Sequence, residues 1–547
     1  MLLGAACQAT PKNERSRFAS GETPLTAVSL QTTTLETAAN CNGRFTAHIL
    51  DHTTEVKGPN VHMFQTNGSG VAINDLDGNG YLDLVFANLH GPPSIFWNEG
   101  NLSFHTETLK DNGTRAVNIV DVDGDGRLDI VFTHVRSALS YWRNQLDESG
   151  NTSFEQGGLA KAYRLAHSMA WADLNGDQRL DLVTGSYDSE LHLELGDAFL
   201  FGPGAGVFQY LQDENGQFVP EQLAEQSQAL AIALIDLNDD GRRDIVVGND
   251  FDVHDQTWIQ GENGWEVAEP FANTTHSTMS LDWADVDNNG RYELFATDMN
   301  PYDISPENMA RWLPMMEESM PMNMPNDDPQ LSQNVLQVLG DDGSFANRAQ
   351  RRGIVASGWS WSGKFGDLDN DSHLDLYIVN GMIDDQMFHY LPDGELVEEN
   401  QAFRNDGSGS FLPAPDWAMA GTESGRGMSM ADLDNDGDLD VVINNLTKPS
   451  MLLENGICGG KSVQVTLQWP DSGNSYALGA QVLLHTDSGT MLRDVRAGSG
   501  YLSGDPVRLH FGVADGTDLE ALEIIWPDGA MSVVEEITAD SLLAVTR

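Results

Sequence analysis

The sequence predicts an all-β chain: a seven-bladed β-propeller with cation-binding loops, followed by a small C-terminal β domain. Three observations carry this expectation. An acidic nine-residue pattern recurs seven times, and each copy runs straight into a short apolar, β-branched segment. The copies start 46 to 82 residues apart, room for about four strands per repeat.

The copies are DLDGNGYLD at 75–83, DVDGDGRLD at 121–129, DLNGDQRLD at 173–181, DLNDDGRRD at 236–244, DVDNNGRYE at 285–293, DLDNDSHLD at 367–375 and DLDNDGDLD at 432–440. Each has Asp or Asn at positions 1, 3 and 5 and an acid at position 9. Position 6 is Gly in five copies; Gln178 and Ser372 replace it in the third and sixth. A 1-3-5 spacing gathers side-chain oxygens around one point of a tight loop. Position 7 can add its backbone carbonyl, and position 9 closes the shell. Oxygen-only ligands suit a hard cation, and calcium accepts six to eight of them in irregular geometry. The expected ligands, up to seven calcium sites, are Asp75, Asp77, Asn79 and Asp83; Asp121, Asp123, Asp125 and Asp129; Asp173, Asn175, Asp177 and Asp181; Asp236, Asn238, Asp240 and Asp244; Asp285, Asp287, Asn289 and Glu293; Asp367, Asp369, Asp371 and Asp375; and Asp432, Asp434, Asp436 and Asp440. An EF-hand loop closes with Glu at position 12 between helices. Here LVF, IVF, LVT, IVV, LFA, LYIV and VVI follow, which are buried-strand signals, so each loop joins two strands. Hairpin signals such as FWNEGNLSFH at 96–105 and FRNDGSGSFL at 403–412 supply the outer two strands of a blade.

Ring closure is legible at the termini. The last repeat reaches LLENG at 452–456 and lacks the second half of its hairpin, which CNGRFTAHI at 41–49 provides. An N-terminal strand that completes the last blade removes an open sheet edge. Cys41 and Cys458 fall at the two broken ends and are expected to form a disulfide, as an exported protein would allow; the alternative is two unrelated thiols. The third cysteine, Cys7, sits in MLLGAACQ, similar to the end of a bacterial lipoprotein signal, which makes it the candidate for lipidation. Residues 1–40 are expected to be this trimmed signal and a flexible tether, 41–460 the propeller and 461–547 the C-terminal domain.

The repeats resemble the FG-GAP/VCBS repeats of integrin-α-type seven-bladed propellers. The GAQV, GSGYLS, LHFG and WPDG blocks between 479 and 529 resemble the ASPIC/UnbV domain that follows such propellers in bacterial secreted proteins. The resemblance implies calcium ligation in each loop, least firmly in the third and sixth, and an extracytoplasmic protein, surface-anchored or secreted.

Charge sets the excluded partners. With 83 acidic and 29 basic residues, a net charge of -54, the surface repels nucleic acid and anionic membranes. No apolar run of about 18 residues exists to span a bilayer. With the acidic loops on one propeller face, residues before the first strand and after the second of each blade lie on the other. These include His62, Arg115, His167, His276, Trp359, Trp361 and Arg426, then Asn88, His90, His134, Arg136, Asp250, His254, Asp298, Asn380 and Asn444. His167, His276, Trp361 and Arg426 are the expected ligand site, Arg426 pairing with an anionic group and Trp361 stacking on a sugar or similar ring. Residues 299–324 hold seven of the 19 methionines, which fits a packed flap over that face better than a Cu(I) site. The expected function is recognition or adhesion towards a glycan or surface protein. A polysaccharide lyase or hydrolase using His62, His167, His276 and Arg426, or a structural role in surface assembly, are the alternatives.

Overall fold

The computed structural model describes residues 25–37, 41–200, 205–251, 253–262, 264–319 and 328–547. Cys7 and the signal-like segment lie outside them. Among the described residues the fold is all-β with a few short helices. Seven sheets share a four-strand antiparallel core, in six of them taken in chain order, as in Thr114–Val120, Asp129–His134, Ser140–Leu146 and Thr152–Gly157. The first strands, Val71–Asn74, Thr114–Val120, Ser168–Ala172, Ala229–Ile235, Ser280–Ala284, Gly358–Gly366 and Gly425–Ala431, neighbour one another in cyclic order and are buried throughout. Burial on both faces is why these strands are mostly small and apolar, and the polar side chains they carry, among them Arg115, Asn118, Asp282, Lys364 and Arg426, are themselves buried. In all seven sheets the second strand begins at the position-9 acid: Asp83, Asp129, Asp181, Asp244, Glu293, Asp375 and Asp440.

The last sheet is completed from the other end of the chain. Thr46–Thr53 pairs antiparallel with Pro449–Glu454 as its outermost strand. Cys41 and Cys458 are disulfide-bonded at this seam, with Cα atoms 5.4 Å apart.

Two further four-stranded sheets form the C-terminal unit. One is Thr490–Asp494, Gln481–Thr486, Leu519–Ile525 and Met531–Val534. The other is Ser29–Thr34, Ser541–Thr546, Lys461–Gln468 and Leu509–Val513. Ser29–Thr34 corrects the expectation of a tether: SLQTTT pairs antiparallel with Ser541–Thr546 over its whole length. The stretch is Thr-rich without alternation because it is an edge strand with most side chains exposed.

The C-terminal unit rests on the acidic-loop face. Arg508 donates to the Gly80 carbonyl at 2.9 Å and to Asn435 Oδ1 at 2.6 Å, and Tyr476 Oη donates to the Gly126 carbonyl at 3.2 Å. From it a hairpin, Gly498–Ser499 and Ser503–Gly504, enters the space between the first strands. Gly504 pairs in parallel with Ala72, and Gly500 bridges to Leu281. The approach is so close that a Cβ on Gly70 would lie 1.7 Å from the Leu502 carbonyl oxygen. A buried ion network fixes the hairpin's base: Lys364 pairs with Asp505, and Arg496 reaches Asp505 at 2.9 Å and Asp282 at 2.8 Å.

Candidate functional site: acidic loops and a far-face cavity

Each acidic loop is built on the same hydrogen bonds. The position-1 carboxylate accepts backbone N–H groups from later in the loop, as Asp75 does from Gly78 and Gly80 at 2.8 and 2.9 Å. The position-9 carboxylate works in the opposite direction, into the sheet. Asp129 accepts the N–H of Val122 at 3.0 Å and that of Asn144, on the third strand, at 2.7 Å. Asn144 in turn donates its side-chain amide to the carbonyls of Leu128 and of Leu76, in the neighbouring sheet. Asn98, Gln212, Gln260, Asn405 and Asn455 repeat this stitch between adjacent sheets. Sequence reading missed these residues; the signal was an Asn or Gln at one shared register position, at or within two residues of the end of the third strand, in every one of these sheets except the fifth, where Leu339 stands.

Five loops bring three carboxylates within 4.8 Å of one another: Asp75, Asp77 and Asp83; Asp121, Asp123 and Asp129; Asp285, Asp287 and Glu293; Asp367, Asp369 and Asp371; Asp432, Asp434 and Asp436. These clusters have the donor chemistry for a hard cation. Oδ1 of Asp287 and of Asp369 are buried with no hydrogen-bond donor among the described residues, as an ion ligand would be. The third and fourth loops have Asn175 and Asn238 at position 3, and their Asp177 and Asp240 pair with the position-7 guanidinium groups of Arg179 and Arg242. Burial raises the position-9 acids: Asp83 to about 8, Asp129 and Asp181 to about 7, Asp244 to about 6. The seventh loop is the most crowded. Burial and its neighbours push Asp434 to about 8 and Asp438 to about 11, and no arginine pairs with its acids among the described ion pairs.

The C-terminal unit touches the same carboxylates. Ser475 donates to Asp121 and Gln464 to Asp432, both position-1 acids.

On the opposite face, the connections between sheets enclose a cavity of about 550 Å³. Met63, Met279, Met299, Met315, Met316, Met382 and Met387 line it, with Trp312, Trp359 and Trp361. The helix Pro306–Ser319 closes one side, burying Trp312 and Met315. This is the flap expected of the methionine-rich segment as far as residue 319; residues 320–327 lie outside the described residues. The lining acids are held by the chain itself. Asp298 accepts the N–H groups of His276, Ser277 and Met299 at 2.9, 3.2 and 2.6 Å. Asp250 accepts Tyr187 Oη at 2.5 Å, and Asp384 accepts the N–H groups of Gln386 and Met387, both at 2.9 Å.

The four expected ligand residues divide into two pairs. His276 and Trp361 line the cavity; His167 and Arg426 are buried beside it and do not. Arg426 corrects the expectation of an anion partner. Its guanidinium lies 4.0 Å from the Trp361 ring centroid and donates to the carbonyls of Thr66, Gly381 and Gly425 and to Ser424 Oγ. Burial lowers its pKa to about 9. His167 sits 3.7 Å from Glu190, which pairs with Arg115, and burial lowers its pKa as well. His62 is exposed and bonds Asp385 at 2.9 Å. The four residues proposed for lyase chemistry therefore do not converge. Asn380 and Asn444 are buried backbone staples, donating to the Ser357 and Gly70 carbonyls at 2.7 and 3.0 Å.

Comparison with known proteins agrees with the repeat reading. A description of FG-GAP-like repeats matches residues 75–132, 121–184, 236–296 and 391–443, and one of the ASPIC and UnbV domain matches residues 470–547. Cartilage acidic protein 1 of Xenopus tropicalis is 29% identical over 177 residues, 30% of this chain and 25% of that protein. The Homo sapiens protein of the same name is 27% identical over 176 residues, 30% of this chain and 24% of that protein. The matched stretch thus spans about a quarter of these relatives. A chain in the crystal structure of BBS1N in complex with ARL6DN superposes with a TM-score of 0.40 at 10% identity, over 70% of this chain and 91% of that one. The acidic loops, the all-β sheets and the two family matches agree, and the chain is an FG-GAP-repeat protein with a C-terminal ASPIC and UnbV domain.

Proposed function

We propose that this is an exported recognition protein whose acidic loops hold calcium and whose partner binds in the cavity on the face away from those loops. FG-GAP-like repeats with an ASPIC and UnbV domain fit a surface or adhesion-type role. No helix among the described residues is long and apolar enough to cross a membrane. The observation that carries the reading is the cavity: seven methionines and three tryptophans converge on one concave site from connections distant in sequence. Its acids are engaged in internal hydrogen bonds, which supports binding rather than turnover. Methionine's flexible thioether adapts to varied partner shapes. An apolar partner group suits this lining better than the anionic group expected to pair with Arg426, because Arg426 lies outside the wall and His276 is the only basic side chain in it among the described residues. The test is retention of surface material from the source cells on immobilised protein, compared with Met279→Trp, which fills the cavity, and with Glu155→Ala on an outer strand. Binding lost with the first and kept with the second supports the reading; equal retention by all three refutes it.

A further inference from the structure

The polar atoms around the cavity are unbalanced in one direction. The indole N–H of Trp359 and the side-chain amide N–H of Asn67, both in the wall, have no acceptor among the described residues, although the two residues are 4% and 5% exposed. Nη2 of Arg426, behind Trp361, is in the same condition. The carboxylates nearby already hold their own donors, Asp298 three of them. Buried donors without acceptors are rare in folded proteins, and each is stabilised by whatever supplies an oxygen.

Resting on the reading of this cavity as the recognition site, we infer that it takes a largely apolar, uncharged molecule whose hydrogen-bond acceptors meet Trp359 and Asn67. The lining of thioether, indole and phenyl groups removes apolar surface from water. At the roughly 30 Å³ that a water-sized group occupies, about 550 Å³ accommodates on the order of 18 non-hydrogen atoms. A pure hydrocarbon fills that volume and leaves the donors unpaired. A cation such as a quaternary ammonium offers these donors no acceptor and loses its own hydration. An ester, ether or ketone on an apolar chain meets both demands.

Three probes of matched chain length separate these cases: methyl dodecanoate, dodecane and dodecyltrimethylammonium, each titrated against the full chain in calcium. Methyl dodecanoate is expected to bind about tenfold tighter than dodecane and at least tenfold tighter than the ammonium. Met279→Trp should abolish binding of all three. Trp359→Phe should bring the ester down to the level of dodecane while dodecane stays within twofold; Asn67→Leu is the second variant if Trp359→Phe does not fold. Equal binding of ester and hydrocarbon, or tightest binding of the ammonium, overturns the inference. If Met279→Trp loses the surface partner yet no probe binds, the recognition reading stands and this ligand class falls. If the ester binds as expected but partner retention ignores Met279→Trp, the ligand class stands and the recognition reading falls.

Discussion

The seventh acidic loop offers the sharpest quantitative test of calcium ligation. Asp434 stands at position 3 between Asp432 and Asp436, and burial plus those charges raise its pKa from 3.8 to about 8. A calcium ligand must be ionised, so binding at neutral pH displaces a proton. With one group of pKa about 8, the apparent affinity should rise about 50-fold between pH 6 and pH 8. The ion-free protein carries the same number as a loss of stability. A folded-state pKa above the unfolded one gives stability that is full below the unfolded value and is lost as pH rises through the folded value. Between pH 6 and pH 8 this group should therefore cost the ion-free protein about 2 kcal/mol, from 1.36 kcal/mol per unit. Calcium titration by calorimetry in two buffers of different ionisation enthalpy reads the proton release. Melting in chelator across the same pH range reads the stability. Asp434→Asn is the reference, expected to flatten the chelator profile and to weaken calcium binding. Affinity independent of pH, with no proton released and no metal found by elemental analysis, would refute calcium ligation at this loop.

Three other outcomes follow from the geometry. Mass spectrometry of unreduced peptides should recover the Cys41–Cys458 link; it closes a 417-residue separation, for which chain entropy sets a ceiling of about 6 kcal/mol on its stabilisation. Asn144→Leu strips donors from two buried carbonyls in adjacent sheets and should cost about 2–4 kcal/mol in a denaturant melt, against less than 1 kcal/mol for Leu339→Ala in the sheet that lacks the stitch. Gly70→Ala should expel the Gly498–Gly504 hairpin, seen as new proteolytic cleavage between residues 495 and 508, because its Cβ and the Leu502 carbonyl cannot share one space.

What the sequence made legible was local and repeated. The 1-3-5-9 pattern sets a tight loop through bonds between residues at most seven apart, so the turn, the strand that follows and the sheet count all stand in one line of text. Ring closure was legible because half a hairpin was missing at one end and present at the other. The burial of Arg426 and Trp361 was not readable: for Arg426 it depends on the backbone carbonyls of Thr66 and Gly381, from connections more than 300 residues apart, turning toward one guanidinium. The strand Ser29–Thr34 was missed for a related reason, since an exposed edge strand leaves no alternation to read.

The hairpin in the propeller's middle was the hardest to foresee, and it changes how the two faces relate. GSGYLSGD reads as a loop, and small residues are what a space between converging first strands admits. Its outer end rests on the unit that bonds Asp121 and Asp432 through Ser475 and Gln464. Its tip, Tyr501, donates to the Asn67 carbonyl at 2.9 Å and packs 5.3 Å from Trp361. Asn67 and Trp361 both line the far-face cavity. A continuous line of packed groups therefore runs from carboxylates of the acidic loops to the cavity wall. Spatial continuity alone does not establish coupling; a change in cavity-ligand affinity on chelation, abolished by Tyr501→Ala, would.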